Sequence, residues 1–192
     1  MEDLDAIYDA EWVKRDYSDL RDELGLVADA IFRQFKPEMV IDVGCGPGMI
    51  LERMLLHRIP AYGLEGSQHC IDFAAPEAQK NITKVDLTTM TRLVGGPGTI
   101  VICTEVAQCL DEQAATHLVK LLASAMCPVI FSAARKGQDG RNHVNCQPKA
   151  HWHGEFMRQG CFLDQKATDE LMSRWASLKR LSHMIGNMSV FT

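Results

Sequence analysis

Residues 39–191 alternate short β-branched runs with stretches of helical periodicity, which predicts an α/β fold around a largely parallel sheet. Two further observations agree. The glycine-rich turn Gly44-Cys45-Gly46-Pro47-Gly48 joins the first apolar run to a helical stretch, an arrangement that brings a ligand to the carboxyl edge of a parallel sheet. The run Thr99-Ile100-Val101-Ile102-Cys103 is apolar almost throughout, as a strand covered on both faces must be.

The first long helix is predicted over 20–35. Leu20, Leu24, Val27, Ala28, Ile31 and Phe35 share one face there, and Pro37 stops it. A strand at 39–43 follows, then the glycine turn and a helix over 49–57. A second strand at 61–64 leads into a helix from about Ser67, whose hydroxyl suits a capping position. Strands at 81–85 and 99–103 come next, then a helix over 111–123 and a fifth strand at 128–131.

The polar, glycine-containing stretch 134–148 is long for a connection, which marks it for function. Helices at 149–159 and 167–178 flank a short strand at 161–163, and a strand at 183–191 brings the count to seven. No repeat, low-complexity tract or linker divides the chain. Residues 1–192 therefore read as a single domain, with 1–36 a helical or lid segment and 37–192 the core.

Composition narrows the function classes. With 192 residues, 46% of them hydrophobic, the chain can bury one core. Asp and Glu number 25 against 20 Lys and Arg, a formal net charge of −5, which leaves no broad basic footprint for nucleic acid. No apolar stretch is long enough for a membrane span. The start, Met1-Glu2-Asp3-Leu4-Asp5, is acidic where a secretory leader is basic. Seven dispersed cysteines without a C-x-x-C pair read as free thiols in a reducing compartment. A cytoplasmic location is the expectation.

The glycine turn carries the most information. Its spacing is G-x-G-x-G, and Met49 stands where a dinucleotide fingerprint needs a small residue. Pro47 also lacks the N–H that a phosphate cradle uses. Both features favour a nucleoside without a pyrophosphate over a nicotinamide cofactor. Glu65 closes the second strand and Asp86 follows the third, placed to accept from ribose hydroxyls and an adenine amino group. With Asp42 they put three acids at successive strand ends, a set that suits neutral adenosine beside a sulfonium.

In these motifs the chain resembles the class I S-adenosylmethionine-dependent methyltransferases, and the likeness runs through nearly all of it. The glycine turn, Glu65, Asp86 and Thr104-Glu105 match that family's motifs in order and spacing. The resemblance implies a Rossmann-like, seven-stranded, mostly parallel sheet with an antiparallel last strand and helices on both faces. It also implies S-adenosylmethionine as cofactor, released as S-adenosylhomocysteine. Residue by residue, Asp42, Gly44, Cys45, Gly46 and Gly48 would line the methionine and ribose. Glu65 and Gly66 would hold the ribose, Asp86 and Leu87 the adenine, and Thr104 would close that side.

Small-molecule members of the family often carry E-V-x-E-H-[LI] after the fourth strand. This chain keeps Glu105, Val106 and Leu110 but has Gln108 and Cys109 in place of the acid and the histidine. The segment Asn142-His143-Val144-Asn145-Cys146-Gln147-Pro148 resembles the H-[VI]-N-x-[QR]-P stretch of a bacterial and phage subgroup associated with glycan or small-molecule modification. His143 is the candidate general base, since imidazole titrates near neutrality, and Glu105 is the second catalytic candidate. Asn145 is expected at the acceptor. Tyr8 and Tyr17 are expected to fold over the ligand as a lid, while Trp12 reads as packing of an N-terminal helix on the sheet.

His143, Cys146, His151 and His153 do not follow a zinc-ligand spacing, so no metal is expected. The sequence thus favours methyl transfer to a sugar- or nucleoside-like hydroxyl of a small-molecule acceptor. Nitrogen methylation, a protein or peptide acceptor, a catalytically silent adenosine-binding member and a Rossmann oxidoreductase are the alternatives. No nucleic-acid or membrane partner is expected, and the oligomeric state is read as monomer or homodimer.

Overall fold

A computed structural model describes residues 3–192; Met1 and Glu2 of the acidic start lie outside the described residues. Six strands form one sheet: β1 (Met39–Val43), β2 (Ala61–Glu65), β3 (Ile82–Lys84), β4 (Thr99–Thr104), β5 (Val129–Ser132) and β6 (Ser189–Phe191). Their order is β3-β2-β1-β4-β5-β6, all parallel except β6, which runs antiparallel to β5. Pairing is in register from Val40 against Ala61 on one side and Ile100 on the other. The order reverses between β1 and β4, so the crevice at their carboxyl ends is the place for a ligand.

Strand side chains alternate between two cores. Val40, Ile100, Ile102, Ile130 and Val190 face one layer, which contains α3 (Arg21–Phe35), α4 (Met49–Leu56) and α9 (Gln165–Arg174). Ile41, Val101, Cys103, Val129 and Phe131 face the other, against α7 (Glu112–Ala123) and α8 (Lys149–Arg158). Both faces of the sheet are covered, which is why β4 carries no polar alternation. Short helices complete the chain: α1 (Leu4–Ile7) and α2 (Ala10–Tyr17) before α3, α5 (Gln68–Phe73) and α6 (Pro76–Gln79) after β2, and α10 (Ser182–Asn187) before β6. Ser67 caps α5 through the Cys70 amide, and Asp111 caps α7 through that of Ala114.

Two of the expected strands are corrected, and the sheet has six strands rather than seven. The segment 161–163 contributes one antiparallel bridge, Leu163 to Phe191, flanked by bonds between Phe162 and Thr192. Most of 183–191 is helical, with only its end in β6. Leu181, Met184, Asn187 and Met188 are buried while 182 and 183 are exposed, so this segment follows the helical period and not the strand period. Among the described residues no helix is long and apolar enough to cross a membrane.

Candidate functional site

The glycine turn leaves β1 through a left-handed Gly44 at φ 72°. Val106 packs so closely there that a Cβ would overlap it, so the position requires glycine for space as well as conformation. Every mapped amide of the turn already has a protein acceptor. Gly44 and Cys45 donate to the Leu64 carbonyl, Gly46 to Glu65 Oε2 at 2.8 Å, and Gly48 to the Cys45 carbonyl. With Pro47 lacking an N–H, little remains to cradle a pyrophosphate.

Glu65 organises this edge. Besides Gly46, its carboxylate accepts the Gly66 and Ser67 amides on Oε1, each at 2.8 Å. Three of about four lone-pair directions are thus filled, leaving Oε2 one direction toward the cleft. Burial raises its pKa, and the three amides oppose that rise. Asp42, inside β1, is sealed at 2% exposure. Burial and the neighbouring Glu65 push its carboxyl up to about 7. Asp86 accepts from the Thr88 amide and hydroxyl through Oδ1, an Asx-type turn that presents its other oxygen.

These groups border a cleft of about 1200 Å³ over the carboxyl ends of the strands. That volume exceeds what most single small ligands need, leaving room for two. Gly44, Gly46, Glu65, Gly66, Asp86 and Leu87 line the cleft. Glu105, Gln108, Asp111, His117, Asp139 and His143 line it as well. Asp42, Cys45, Gly48 and Thr104 do not line it. Asp42 is sealed within the sheet, and the Cys45 thiol turns back against Gly63, so they support the turn from behind. Asn145 does not line it either: it is buried with its Oδ1 accepting from Gln147.

The N-terminal aromatics cover the cleft together. Tyr8, Trp12 and Tyr17 all line it, with ring centroids 4.9 Å apart for the first pair and 5.9 Å for the second. Trp12 therefore lines the cleft beside the two tyrosines, where the sequence suggested packing onto the sheet. The Tyr17 hydroxyl would lie 2.9 Å from a Cβ on Gly46, which puts this ring over the glycine turn. Burial, followed by nearby Cys70 and Glu65, raises its pKa well above the usual value. The Tyr8 phenol is raised by burial and by Cys109. Arg141 pairs with Asp9 at 3.1 Å and sits 5.7 Å from the Trp12 ring centroid.

Glu105 follows β4 in a left-handed conformation at φ 59°, uncommon for a side chain of its size. Its Oε1 accepts from the Ser132 hydroxyl at 2.7 Å and its Oε2 from the Gln108 amide at 3.2 Å. His143 Nδ1 lies 2.9 Å from the Gln138 carbonyl. A carbonyl only accepts, so Nδ1 carries the proton and Nε2 of the neutral ring keeps its lone pair. His117 bonds the Met90 carbonyl through Nε2 at 2.7 Å, which leaves Nδ1 as its acceptor by the same logic. Among the described residues no group of three or more His, Cys, Asp or Glu could hold a metal ion.

Gln108, His117 and Trp12 were the cleft residues least visible in the sequence. Gln108 stood out there only as a departure from the family pattern, and nothing local marks it as a bonding centre.

No family model and no curated protein matches the sequence. Solved structures do match the fold. CalS10, an amino pentose methyltransferase from Micromonospora echinaspora solved with S-adenosylmethionine bound, aligns at TM-score 0.67 and 16% identity over 97% of this chain and 96% of its own. The magnesium protoporphyrin IX methyltransferase ChlM from Synechocystis PCC 6803, also with S-adenosylmethionine, aligns at 0.59 and 18% over 98% and 87%. The mitomycin 7-O-methyltransferase MmcR aligns at 0.65 and 14% over 85% of this chain, which spans only 54% of that enzyme's length. The fold is thus one that S-adenosylmethionine-dependent methyltransferases share.

Proposed function

We propose that the cleft binds S-adenosylmethionine in its Gly44–Glu65–Asp86 half and methylates a hydroxyl of a small acceptor in its His143 half. The observation that carries this reading is the occupation of the turn amides by Glu65 and the strand carbonyls. A phosphate-bearing cofactor finds few free donors there, whereas a neutral adenosine finds the acceptors of Glu65 and Asp86. These residues fit the group. Glu65 would hold the ribose, Asp86 and Leu87 the adenine, and Tyr17 would cover the ligand over Gly46.

The bound cofactor supplies an electrophilic methyl on a sulfonium, which leaves as a neutral thioether. The protein's part is positioning and proton transfer. The lid holds both ligands against the strand ends and excludes water. His143 Nε2 takes the hydroxyl proton as the new bond to carbon forms, and its Nδ1–H stays on the Gln138 carbonyl.

The cleft as a whole is rich in hydrogen-bond acceptors. Asp16, Asp111 and Asp139 line the cleft with the two imidazole lone pairs, and its arginine, Arg141, is already paired with Asp9. Such a lining favours a donor-rich, uncharged or cationic ligand such as a sugar, and disfavours anions. Of the segment 1–36 expected as a lid, the short helices before α3 serve that role, whereas α3 packs into the core of the same domain. Seven free thiols fit a cytoplasmic setting, and the bacterial and phage glycan-modifying subgroup is the nearest functional type.

Calorimetric titration with S-adenosylmethionine, S-adenosylhomocysteine and NADH in parallel tests the cofactor. Binding of the first two at micromolar levels supports the reading, and a panel of sugar, nucleoside and peptide acceptors then identifies the substrate by release of S-adenosylhomocysteine. Binding of NADH alone overturns it.

A further inference from the structure

We propose that Gly140 is a positioning residue for His143: the missing side chain at 140 leaves the seat on which the imidazole ring lies. The role rests on the reading of His143 as the base, whereas the contact itself needs no cofactor.

Gly140 and His143 are the two ends of a tight turn. The His143 amide donates to the Gly140 carbonyl at 3.4 Å, and Asn142 between them takes a left-handed φ of 58°, which asparagine tolerates. The turn carries the side chain of its last residue back over its first. A Cβ on Gly140 would fall 2.3 Å from both Cε1 and Nε2 of His143 and 2.8 Å from Cδ2. Three ring atoms at such distances put that carbon over the face of the ring and not beyond its edge. Non-bonded carbon atoms settle near 3.5–4.0 Å, so the ring and a side chain at 140 exclude each other.

Conformation does not demand glycine here. Gly137, in the same loop, is the opposite case, with φ at 90° and nothing within 4 Å of a Cβ. Gly140 is not among the glycines with positive φ, so alanine suits its backbone and only the ring forbids it.

The ring thus has two supports. Its Nδ1–H goes to the Gln138 carbonyl at 2.9 Å, and its face rests on Gly140. The first decides which nitrogen carries the proton, and the second decides where the ring lies while it makes that bond. Both supports are tied to neighbouring elements. Asn142 Nδ2 donates to the Cys109 carbonyl at 3.0 Å, and the Gln138 side chain accepts from Asn187 at 2.9 Å. A methyl group on the seat would force the ring off it, breaking the bond to Gln138 and moving Nε2 from its place at the cleft.

Nitrogen-15 spectroscopy and thermal melts test this without an acceptor. The wild type should show His143 with its proton on Nδ1. Gly140→Ala should lose that single signature for a mixture of both tautomers. Gly137→Ala, which strains the backbone and not the ring, should keep it. Gly140→Ala should also lower Tm by about 3 °C, and that cost should vanish in the His143→Ala background, where the methyl group meets no ring. The double variant guards against a folding defect as well: if Gly140→Ala fails to fold alone, removing His143 should restore folding.

With an acceptor in hand, Gly140→Ala should lower kcat about a hundredfold, as far as His143→Ala does, with KM for S-adenosylmethionine unchanged and the double variant no slower. A retained Nδ1 signature in Gly140→Ala, its loss in Gly137→Ala as well, or an equal Tm cost in both backgrounds overturns the proposal. Turnover that withstands Gly140→Ala overturns it too. Failure of the wild type to bind S-adenosylmethionine would instead overturn the function reading, with the spectra and melts still deciding the seat.

Discussion

Asp9 accepts from Arg141 at 3.1 Å although 132 residues separate them. The pair ties the N-terminal segment to the loop that carries His143, and the same guanidinium lies over the Trp12 ring. The two segments therefore meet beside the cleft that both line, and this contact is electrostatic and largely solvent-facing.

Arg141→Ala should loosen that contact without unfolding the protein. Surface pairs contribute little individually, so dissociation of S-adenosylmethionine should accelerate only about threefold. Stopped-flow displacement measures this. Raising the salt concentration should mimic the substitution in the wild type, because exposed pairs are screened.

Glu65→Ala removes a ribose acceptor and the partner of three amides together. Cofactor affinity should fall by on the order of 1.5–3 kcal/mol, the range for hydrogen bonds to charged groups. Tm without ligand should fall as well, since the Gly46, Gly66 and Ser67 amides lose their acceptor. Calorimetry and thermal melts separate the two effects. An affinity that does not change removes Glu65 from the site.

His143→Ala should lower kcat by about a hundredfold or more, the usual contribution of a positioned general base, while cofactor affinity stays near wild type. Turnover that survives the substitution would mean that alignment alone drives methyl transfer.

Asp42 gives a pH signature. Its folded-state pKa is raised to about 7 from an ordinary 3.8. Its carboxyl is neutral in both states below pH 3.8, so no cost arises there. As pH climbs from 4 to 7 the unfolded chain ionises first and stability is lost, and the loss levels off above 7. Asp42→Asn should match the wild type at pH 4 and melt higher at pH 8, by about 5 °C or more for a chain of this length.

Asp29 carries the opposite sign. Arg53 grips it at 2.7 and 2.8 Å and His57 approaches at 2.6 Å, which holds its pKa down at about 2. The contribution is present above pH 3.8 and is lost as pH falls through 2. Asp29→Asn should lower Tm by about 3 °C at pH 7, with the gap closing only below pH 4.

Local periodicity in the sequence placed β1, β2, β4, β5 and the principal helices, because burial on two faces of a sheet or one face of a helix writes its period into neighbouring residues. Glu65 and Asp86 were legible for the same reason, since strand length alone puts them at the sheet's carboxyl edge. The segment 183–187 was misread because a short apolar run fits either period. Packing decided it, by burying Met184 and Met188 on one helical face. The remainder of the site is tertiary. The place of Trp12 at the cleft, the Asp9–Arg141 pair and the bonds of Gln108 to Ala134, Val144 and Asn145 each join residues far apart in the chain. Contacts of that kind leave no local period, because the folded chain, and not its neighbours in sequence, supplies their partners.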